Sequence, residues 1–228
     1  MEPDEARVTV IIPAKNEAGS LRAVIEAARP YAHEIIVVDG RSSDATVPIA
    51  RACGASVVTE DGAGKGRAMR LGAAKARGDV LVFLDADGSH EPADIPRMVE
   101  PILRGEADMV VGSRMLGGSD ELHGTWDNFV RNTGSCFLAV LLNRRWRTHL
   151  TDIENGYRAI RREAMQSLST RQDGFLIEQE MVLTGLRCGL RIREVASHER
   201  ERQAGESKLP TRQGWSFVWH FLKEIVKR

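Results

Sequence analysis

Residues 80–92 read VLVFLDADGSHEP, and this stretch decides the fold. Five apolar residues at positions 80–84, β-branched and aromatic side chains among them, give way abruptly to the carboxylates Asp85 and Asp87. A short, continuous apolar run of this kind is typical of a strand that is buried on both faces. A glycine and a proline follow, so the strand ends there and a helix begins. The two carboxylates therefore fall at the carboxyl end of a central strand, where open α/β sheets bind ligands.

Carboxylates spaced two residues apart at a strand end can hold one hard cation between protein oxygens and a substrate diphosphate. The sequence has no His/Cys cluster beside them, which argues against zinc. A polar β-turn with solvated aspartates is the alternative that an isolated Asp-x-Asp leaves open.

Strand and helix patterns alternate over the first 112 residues. Predicted strands cover residues 8–12, 35–38, 56–58, 80–84 and 109–111. Helices are predicted between them, the first from residue 16 to about residue 29, and a glycine-rich turn surrounds Lys65. Such alternation predicts an α/β fold, with a mostly parallel sheet, right-handed crossovers and flanking helices.

The pattern changes after residue 114. We expect a polar loop at 117–125, a helix at 128–142, a strand at 156–160, a helix at 177–188, a strand at 192–196 and a charged loop or flap at 198–209. The apolar run at 137–142 is followed directly by Arg144, Arg145 and Arg147, an edge suited to a membrane surface. A core helix that ends in a solvated basic turn is the alternative.

The last segment, residues 215–228, is amphipathic. Its apolar stripe consists of Val218, Phe221, Leu222 and Ile225, and its polar face consists of Ser216, His220, Lys223 and Lys227. Trp215 and Trp219 beside basic residues suit a membrane interface. Packing of this helix on its own domain or on a second subunit stays open as the alternative.

Composition indicates an ordinary soluble globular chain of 228 residues, 42% hydrophobic and 28% charged. Its formal net charge is zero, so no global field favours nucleic acid as a partner. The three cysteines form neither a disulfide framework nor a zinc pattern, which favours a reducing compartment. With an acidic N-terminus in place of a signal peptide and no apolar run of about 18 residues, the chain is expected to be cytoplasmic.

Eight segments, taken in order, resemble family 2 glycosyltransferases of the GT-A fold, and within them the dolichol-phosphate and polyprenyl-phosphate hexose synthases. The segments are VIIPAKNEAGSL at 10–21, VVDGRSSDAT at 37–46, GKGRAMRLGAAKARGD at 64–79, FLDADGSH at 83–90, GSR at 112–114, DIENGYRAIRR at 152–162, GFLIEQEM at 174–181 and GESKL at 205–209. The resemblance covers residues 8–209, and its strength lies in the order and spacing of the whole series.

The resemblance implies a Rossmann-like, nucleotide-diphospho-sugar transferase fold, with a catalytic domain at 1–210 and an amphipathic helix at 211–228. It implies Mg²⁺- or Mn²⁺-dependent, inverting transfer of a hexose from GDP-mannose or UDP-glucose to a polyprenyl or dolichyl phosphate. The protein would then lie peripherally on the cytoplasmic membrane face. A membrane-anchoring partner and a homo-oligomer stay open.

Roles for individual residues follow from the resemblance, position by position. The metal ligands are expected to be Asp85, Asp87 and Ser89. Donor-binding residues are expected to be Pro13, Ala14, Glu17, Asp39, Lys65, Asp85, Ala86 and Asp87. The acceptor phosphate is expected on Arg114, Arg131, Arg202 and Lys208, and the catalytic set is Asp85, Asp87, Arg114, Asp152 and Arg202. Glu178 and Glu180 lie where other GT-A enzymes often keep a base.

Two positions depart from the family pattern. Gly40 follows Asp39 where many relatives have a second acidic residue, and Ser89 stands where mannosyl-transferring relatives often carry glutamine. Both departures leave the donor open between mannose and glucose, and between guanine and uracil.

Four other interpretations of the sequence compete with this one. A glycosyltransferase with a soluble phosphorylated or carbohydrate acceptor fits the arginines as well. A sugar-1-phosphate nucleotidylyltransferase lacks its expected glycine-rich opening here, and a Rossmann dehydrogenase lacks its glycine fingerprint after the first strand. A catalytically silent binding module is disfavoured by the intact Asp85 and Asp87.

Overall fold

The computed structural model describes residues 6–120, 126–202 and 214–225, with the side chains of 126–134 and 214–216 outside the described set. Its sheet has seven strands within these residues. They are β1 Val8–Ala14, β2 Glu34–Asp39, β3 Ser56–Thr59, β4 Val80–Phe83, β5 Met109–Ser113, β6 Arg158–Arg161 and β7 Ile192–Ala196. Every strand that the sequence predicts is present, with ends shifted by up to two residues.

The strand order is β3-β2-β1-β4-β6-β5-β7. All neighbours are parallel except β6, which runs antiparallel to both β4 and β5. The expected mostly parallel α/β sheet is therefore confirmed. Since β6 is inserted between strands that precede it in the chain, it brings the segment before it back toward the carboxyl end of β4.

Helices cover both faces of the sheet. They are α1 Leu21–Ala28, α2 Thr46–Ala52, α3 Lys65–Lys75, α4 Ile95–Leu103, α5 Arg114–Gly117, α6 Trp126–Trp146, α7 Arg162–Ser167, α8 Ile177–Arg187 and α9 Gly214–Ile225. Alternate residues of β1 point into two separate cores, Ile11 into one and Val10 into the other. This is why the strand segments read as continuous apolar runs.

The first helix begins at Leu21, five residues later than predicted. Asn16 has a positive φ of 55°, and its side-chain oxygen accepts a hydrogen bond from the Ser43 N–H at 2.8 Å. The Glu17 N–H donates to the Thr46 hydroxyl at 2.9 Å. These contacts hold residues 16 and 17 in a turn that ties the end of β1 to the start of α2.

The prediction for the faces of α9 is partly wrong. Phe221 is buried as expected, but Leu222 is 43% exposed and the supposedly outward His220 is buried. The reason is a polar contact with α8, in which His220 Nδ1 lies 2.9 Å from Gln179 Oε1. The helix therefore packs on its own chain, between α6 and α8.

Two further expectations concern the C-terminal part of the chain. The predicted boundary at residue 210 falls outside the described residues, so the division into two regions remains a prediction. Within the part of the chain that the structure describes, no helix is both long enough and apolar enough to cross a membrane.

Candidate active site

A cleft of about 230 Å³ opens at the carboxyl ends of β1, β2 and β4. Seven of the eight predicted donor-binding residues line it: Pro13, Ala14, Glu17, Lys65, Asp85, Ala86 and Asp87. Asp39 is not among the lining residues. Its buried carboxylate accepts a hydrogen bond from the Ser42 N–H at 3.2 Å, so it stabilises the turn after β2. The predicted acceptor residue Arg202 also lines the cleft.

Lys65 is held between two carboxylates at the floor of the cleft. Its Nζ lies 2.6 Å from Asp85 Oδ1 and 2.8 Å from Glu178 Oε1. Burial by itself would lower the pKa of Lys65, but the charges of Asp85 and Glu178 outweigh it and hold the pKa above its ordinary value. Burial would likewise raise the pKa of Asp85, yet Lys65 and His90 hold it well below its usual range. Lys65 is thus a buried, ion-paired cation, and Asp85 is a fixed anion.

The Lys65–Asp85 pair depends on the absence of a side chain at Gly156. A Cβ built there would lie 2.6 Å from both Asp85 Oδ2 and Lys65 Nζ. Gly156 belongs to the segment just before β6, which the sheet order delivers to the end of β4. Glycine is therefore favoured at position 156 because the Asp85 and Lys65 side chains approach its Cα closely, and not because of an unusual backbone angle.

We expect Gly156→Ala to lower transfer activity by about a hundredfold, because it displaces Asp85 and Lys65 by part of an ångström. The free energy of unfolding should fall by only about 1 to 3 kcal/mol, the usual cost of overpacking. Initial rates and thermal melts measure the two effects. The matched control is Gly174→Ala, since a Cβ at that position meets no atom within 4 Å. Wild-type rates in Gly156→Ala would contradict the tight packing.

Asp87 follows Asp85 by two residues and lines the same cleft. Its Oδ1 accepts hydrogen bonds from the Ser89 hydroxyl at 2.7 Å and from the Ser89 N–H at 3.0 Å. Its Oδ2 lies 3.5 Å from Arg202 Nη1. Ser89 therefore orients the Asp87 carboxylate, a contact that sequence reasoning did not specify.

Arg114 and Asp152 form a second charged centre, at the end of β5. The guanidinium donates to both carboxylate oxygens, with Nε–Oδ2 at 2.6 Å and Nη2–Oδ1 at 3.0 Å. Glu199 approaches the same guanidinium at 3.5 Å. Burial would lower the pKa of Arg114 and raise that of Asp152, but their mutual attraction reverses both shifts. Both groups stay ionised, and the arginine is fixed in orientation.

Arg158 is a charged residue that sequence reasoning missed. It is fully buried beneath the cleft and donates to the Glu178 carbonyl at 2.7 Å and to the Asn155 carbonyl. Burial lowers its pKa, and the charges of Glu178, Asp152 and Asp85 counteract that effect. An arginine inside the otherwise apolar strand pattern of residues 156–160 was the available signal.

Glu178 and Glu180 differ in what they contact. Glu178 faces the cleft floor through Lys65, whereas Glu180 is buried behind it and accepts the backbone N–H groups of Arg171 and Gln172, each at 2.9 Å. Glu180, on α8, thus anchors the backbone of the loop before that helix. Of the remaining predicted acceptor residues, Arg131 lies in α6 with its side chain outside the described set, and Lys208 lies outside the described residues altogether.

The oxygens at the end of β4 fit a hard divalent cation. Asp87 and Ser89 present carboxylate and hydroxyl oxygens next to the cleft, and Asp85 contributes a second anion. Among the described residues no group of three or more His, Cys, Asp or Glu side chains is gathered closely enough to hold an ion by itself. These protein oxygens therefore suit Mg²⁺ or Mn²⁺ whose remaining ligands are supplied by a bound diphosphate and water.

Comparison with known proteins identifies the class to which this cleft belongs. Residues 9–169 match the family model described as Glycosyl transferase family 2. The chain belongs to glycosyltransferase family 2. Its sheet, helices and cleft have the GT-A fold that the sequence predicts.

Two curated relatives and one solved structure illustrate the range of this glycosyltransferase family. The chain is 34% identical to an undecaprenyl-phosphate mannosyltransferase of Micrococcus luteus, over 89% of this chain and 87% of the relative. It is 28% identical to the low-salt glycan biosynthesis hexosyltransferase Agl6 of Haloferax volcanii, and spans 53% of that relative's length. Glucosyl-3-phosphoglycerate synthase of Mycobacterium tuberculosis, crystallised with Mn²⁺, UDP and glucosyl-3-phosphoglycerate, superposes with a TM-score of 0.72. That structure shares 26% identity and covers 96% of this chain and 80% of its own.

Proposed function

We propose that this glycosyltransferase moves a hexose from a nucleoside-diphosphate sugar to a polyprenyl phosphate, with inversion at the anomeric carbon. The observation that carries the proposal is the division of charge around the cleft. Carboxylates stand at the end of β4, and Arg202 lies 3.5 Å from one of them, Asp87. Arg114, held by Asp152, follows β5, which ends at the same edge of the sheet. The first group suits a cation-bound diphosphate, and the second suits an anionic acceptor.

The acceptor's own charge simplifies the chemistry. A phosphate monoester oxygen is already deprotonated near neutral pH, so the protein need not supply a strong general base. This agrees with the state of Glu178, which is bound to Lys65 rather than available for proton transfer. What the residues must supply is positive charge that brings two anions together, and Arg114 and Arg202 fill that role.

The donor would lie along the cleft from β2 to β4. Pro13 and Ala14 would line the base and ribose, and Asp85, Asp87 and Ser89 would hold Mg²⁺ or Mn²⁺. When bound, the cation neutralises the charge that develops on the leaving nucleoside diphosphate. Lys65 would fix Asp85 in place and add positive charge near the diphosphate.

Relatives support two acceptor classes. The Micrococcus luteus relative is named for undecaprenyl phosphate, which favours a lipid acceptor. The structural neighbour was crystallised with glucosyl-3-phosphoglycerate, which supports a soluble phosphorylated acceptor as the second candidate. Both acceptors carry a phosphate, so the arginines alone do not separate them.

A transfer assay tests the proposal. Radiolabelled GDP-mannose and UDP-glucose are offered separately, with Mg²⁺ or Mn²⁺, to undecaprenyl phosphate in detergent and to 3-phosphoglycerate in buffer. We expect label to enter the lipid phase from one of the two donors. This transfer should not occur when EDTA is present from the start. Transfer to 3-phosphoglycerate alone would replace the lipid acceptor by the soluble one, and no transfer from either donor would reject both.

Arg202→Ala is expected to raise the KM for the acceptor by about tenfold, because one charge-assisted hydrogen bond to phosphate is lost. The Kd of the donor nucleotide should change by less than about threefold, since Arg202 lies 3.5 Å from Asp87 and bonds it only loosely. Steady-state kinetics and calorimetry measure the two quantities. Arg200→Ala is the control, because the neighbouring Arg200 is an exposed partner of Glu91. An equal loss of both affinities would contradict the assignment.

A peripheral position on the cytoplasmic membrane face belongs to the same proposal. Phe137, Val140 and Arg144 are spaced so that they share one face of α6, and all three are exposed. On α9, which packs on α6, Trp219 is 73% exposed. Apolar side chains followed by basic ones suit an anionic bilayer surface.

Vesicle sedimentation tests this position. We expect the protein to sediment with vesicles of phosphatidylglycerol and phosphatidylcholine, and the variant Phe137→Ser/Val140→Ser to bind about tenfold more weakly. The variant should melt at the wild-type temperature, since both side chains face solvent. Equal sedimentation of the two proteins would reject this face as the docking surface.

A further inference from the structure

Phe175 is an aromatic side chain on the cleft wall that the roles assigned so far leave unused. It is half-buried and lines the cleft together with Lys65 and Asp85. The Lys65 Nζ lies 5.9 Å from the centre of its ring. Phe175 therefore stands at the end of the cleft that contains the carboxylates, where the diphosphate and the sugar attached to it would be.

The loop that carries Phe175 is fixed to α3. The Gly66 N–H donates to the Asp173 carbonyl at 2.7 Å, and the Arg70 guanidinium donates to the Gln172 carbonyl at 2.6 Å. Gly66 has no room for a side chain, because a Cβ there would lie 2.1 Å from the Gln172 oxygen. The backbone before Phe175 thus lies directly against the helix that begins with Lys65.

The same loop is fixed from inside the fold by Glu180. Its buried carboxylate accepts the backbone N–H groups of Arg171 and Gln172. Two residues after Phe175 the chain enters α8 at Ile177, which is fully buried. With the loop anchored on both sides, the position of the phenyl ring is set before any ligand arrives, as preorganised recognition requires.

Among the parts of the donor, the chemistry of the cleft leaves the ring one to contact. Carboxylates and hydroxyl account for the cation and the diphosphate, arginine accounts for the acceptor phosphate, and Pro13 and Ala14 are assigned to the base and ribose. A hexose, by contrast, presents C–H groups on a face of its ring, and a flat aromatic surface packs against such a face. An aromatic ring also gives large contact area at a small entropy cost.

We propose that Phe175 is the platform for the transferred hexose, a sugar-contacting and specificity-determining residue of the donor site. The inference rests on the proposed function, because it assumes a nucleoside-diphosphate hexose in the cleft. It goes further because it assigns Phe175 to the sugar. On this assignment Phe175 contributes to the affinity for the nucleotide sugar but not to the affinity for the nucleoside diphosphate. The anchored loop and the buried Glu180 serve to hold the ring in place.

Calorimetric binding in the presence of Mn²⁺ tests the inference. Each protein is titrated with GDP and GDP-mannose, and with UDP and UDP-glucose, and the pair that the wild type binds is used for comparison. For Phe175→Ala we expect the Kd of the nucleotide sugar to rise about tenfold while that of the nucleoside diphosphate stays within about twofold. Phe175→Tyr, which keeps the ring, should bind the nucleotide sugar with the wild-type Kd. Phe175→Leu should have a Kd between those of the wild type and Phe175→Ala.

The outcomes separate the inference from the function on which it rests. If the wild type binds neither nucleotide sugar, the proposed function fails and the inference fails with it. If the wild type binds, but Phe175→Ala weakens the nucleotide and the nucleotide sugar equally, Phe175 acts on the nucleotide or through Lys65 and the inference is overturned. Unchanged affinities would also overturn it. Thermal melts of all three variants, expected within a few degrees of the wild type, show that each protein is folded.

Discussion

Asp87→Asn should reduce hexose transfer by at least about a thousandfold, because it removes a negative charge where several kcal/mol of cation-mediated stabilisation is generated. The fold should survive the change. Asparagine keeps one side-chain oxygen, which still accepts the Ser89 hydroxyl that bonds Asp87 Oδ1 at 2.7 Å. The buried strand β4 before it is untouched. We therefore expect a melting temperature within about 3 °C of the wild type.

The control for this experiment lies at the other end of the same strand. Asp79 precedes β4 and accepts the Arg7 N–H at 3.0 Å, far from the cleft. Asp79→Asn removes the same charge and should leave the transfer rate within about threefold of the wild type. Rates are measured with saturating Mn²⁺, and Mn²⁺ binding is followed separately by electron paramagnetic resonance. Near-wild-type transfer by Asp87→Asn would contradict the assignment of Asp87 as a ligand of the cation.

Asp152→Asn should be the most destabilising single change at the site, by about 3 kcal/mol or more in the free energy of unfolding. The change leaves the Arg114 guanidinium in a buried position, with Glu199 at 3.5 Å and the charge of Glu154 to compensate it. Transfer should fall by about a hundredfold as well if Arg114 binds the acceptor phosphate as proposed, since the arginine loses the two-point contact that fixes its orientation. Chemical denaturation and initial rates measure the two losses.

A less buried pair of the same kind serves as the control. Arg191 contacts both oxygens of Asp108, with Nη2–Oδ1 at 2.8 Å, but the arginine side chain is 54% exposed and the Asp108 side chain 19% exposed. Asp108→Asn should therefore cost no more than about 1 kcal/mol. If Asp152→Asn cost as little as Asp108→Asn, the buried pair would not have the stabilising role inferred from its geometry.

The pH dependence of the same pair follows from the sign of the shift. Burial would raise the pKa of Asp152, but Arg114 holds it below its ordinary value of 3.8. A carboxyl whose pKa is lower in the folded state stabilises the fold fully above its unfolded pKa, and the stabilisation is lost as pH falls through the folded pKa. The difference in unfolding free energy between wild type and Asp152→Asn should thus stay constant from about pH 7 to about pH 5 and shrink as the pH falls below the ordinary value of 3.8. A difference that stayed constant below that value as well would contradict the shift.

Local sequence determined the strands and the position of the cation-binding oxygens. The run at 80–84 is apolar because β4 is buried on both faces, and a chain that turns polar at Asp85 has to leave the sheet there. The same reasoning predicted β1, β2, β5 and β7, and with them the edge of the sheet on which the cleft lies. These features depend on residues that are close together in the chain, so a sequence pattern is sufficient to predict them.

Tertiary structure decided which charges meet. Lys65, Asp85 and Glu178 are separated by 20 and 93 positions in the chain, and no local pattern indicates that one ammonium joins the two carboxylates. The contact exists because α3, which begins with Lys65, packs on α8, which carries Glu178, at the end of β4. β6 brings Gly156 against the pair, where the absence of a side chain leaves room for it. For that reason sequence reasoning assigned Lys65 to the donor site without identifying its carboxylate partners.

The faces of α9 also show what a local sequence pattern does not predict. Its sequence separates an apolar stripe from a polar face, and the apolar Phe221 is buried as that pattern predicts. His220 is buried nonetheless, because Gln179 of α8 offers it a hydrogen-bond partner that periodicity does not reveal. The sequence by itself therefore determined the α/β fold, the cleft edge and its carboxylates. Only the tertiary structure decided the pairing of Lys65, the orientation of Arg114 and the burial of Arg158 and His220, because each depends on partners supplied by distant elements.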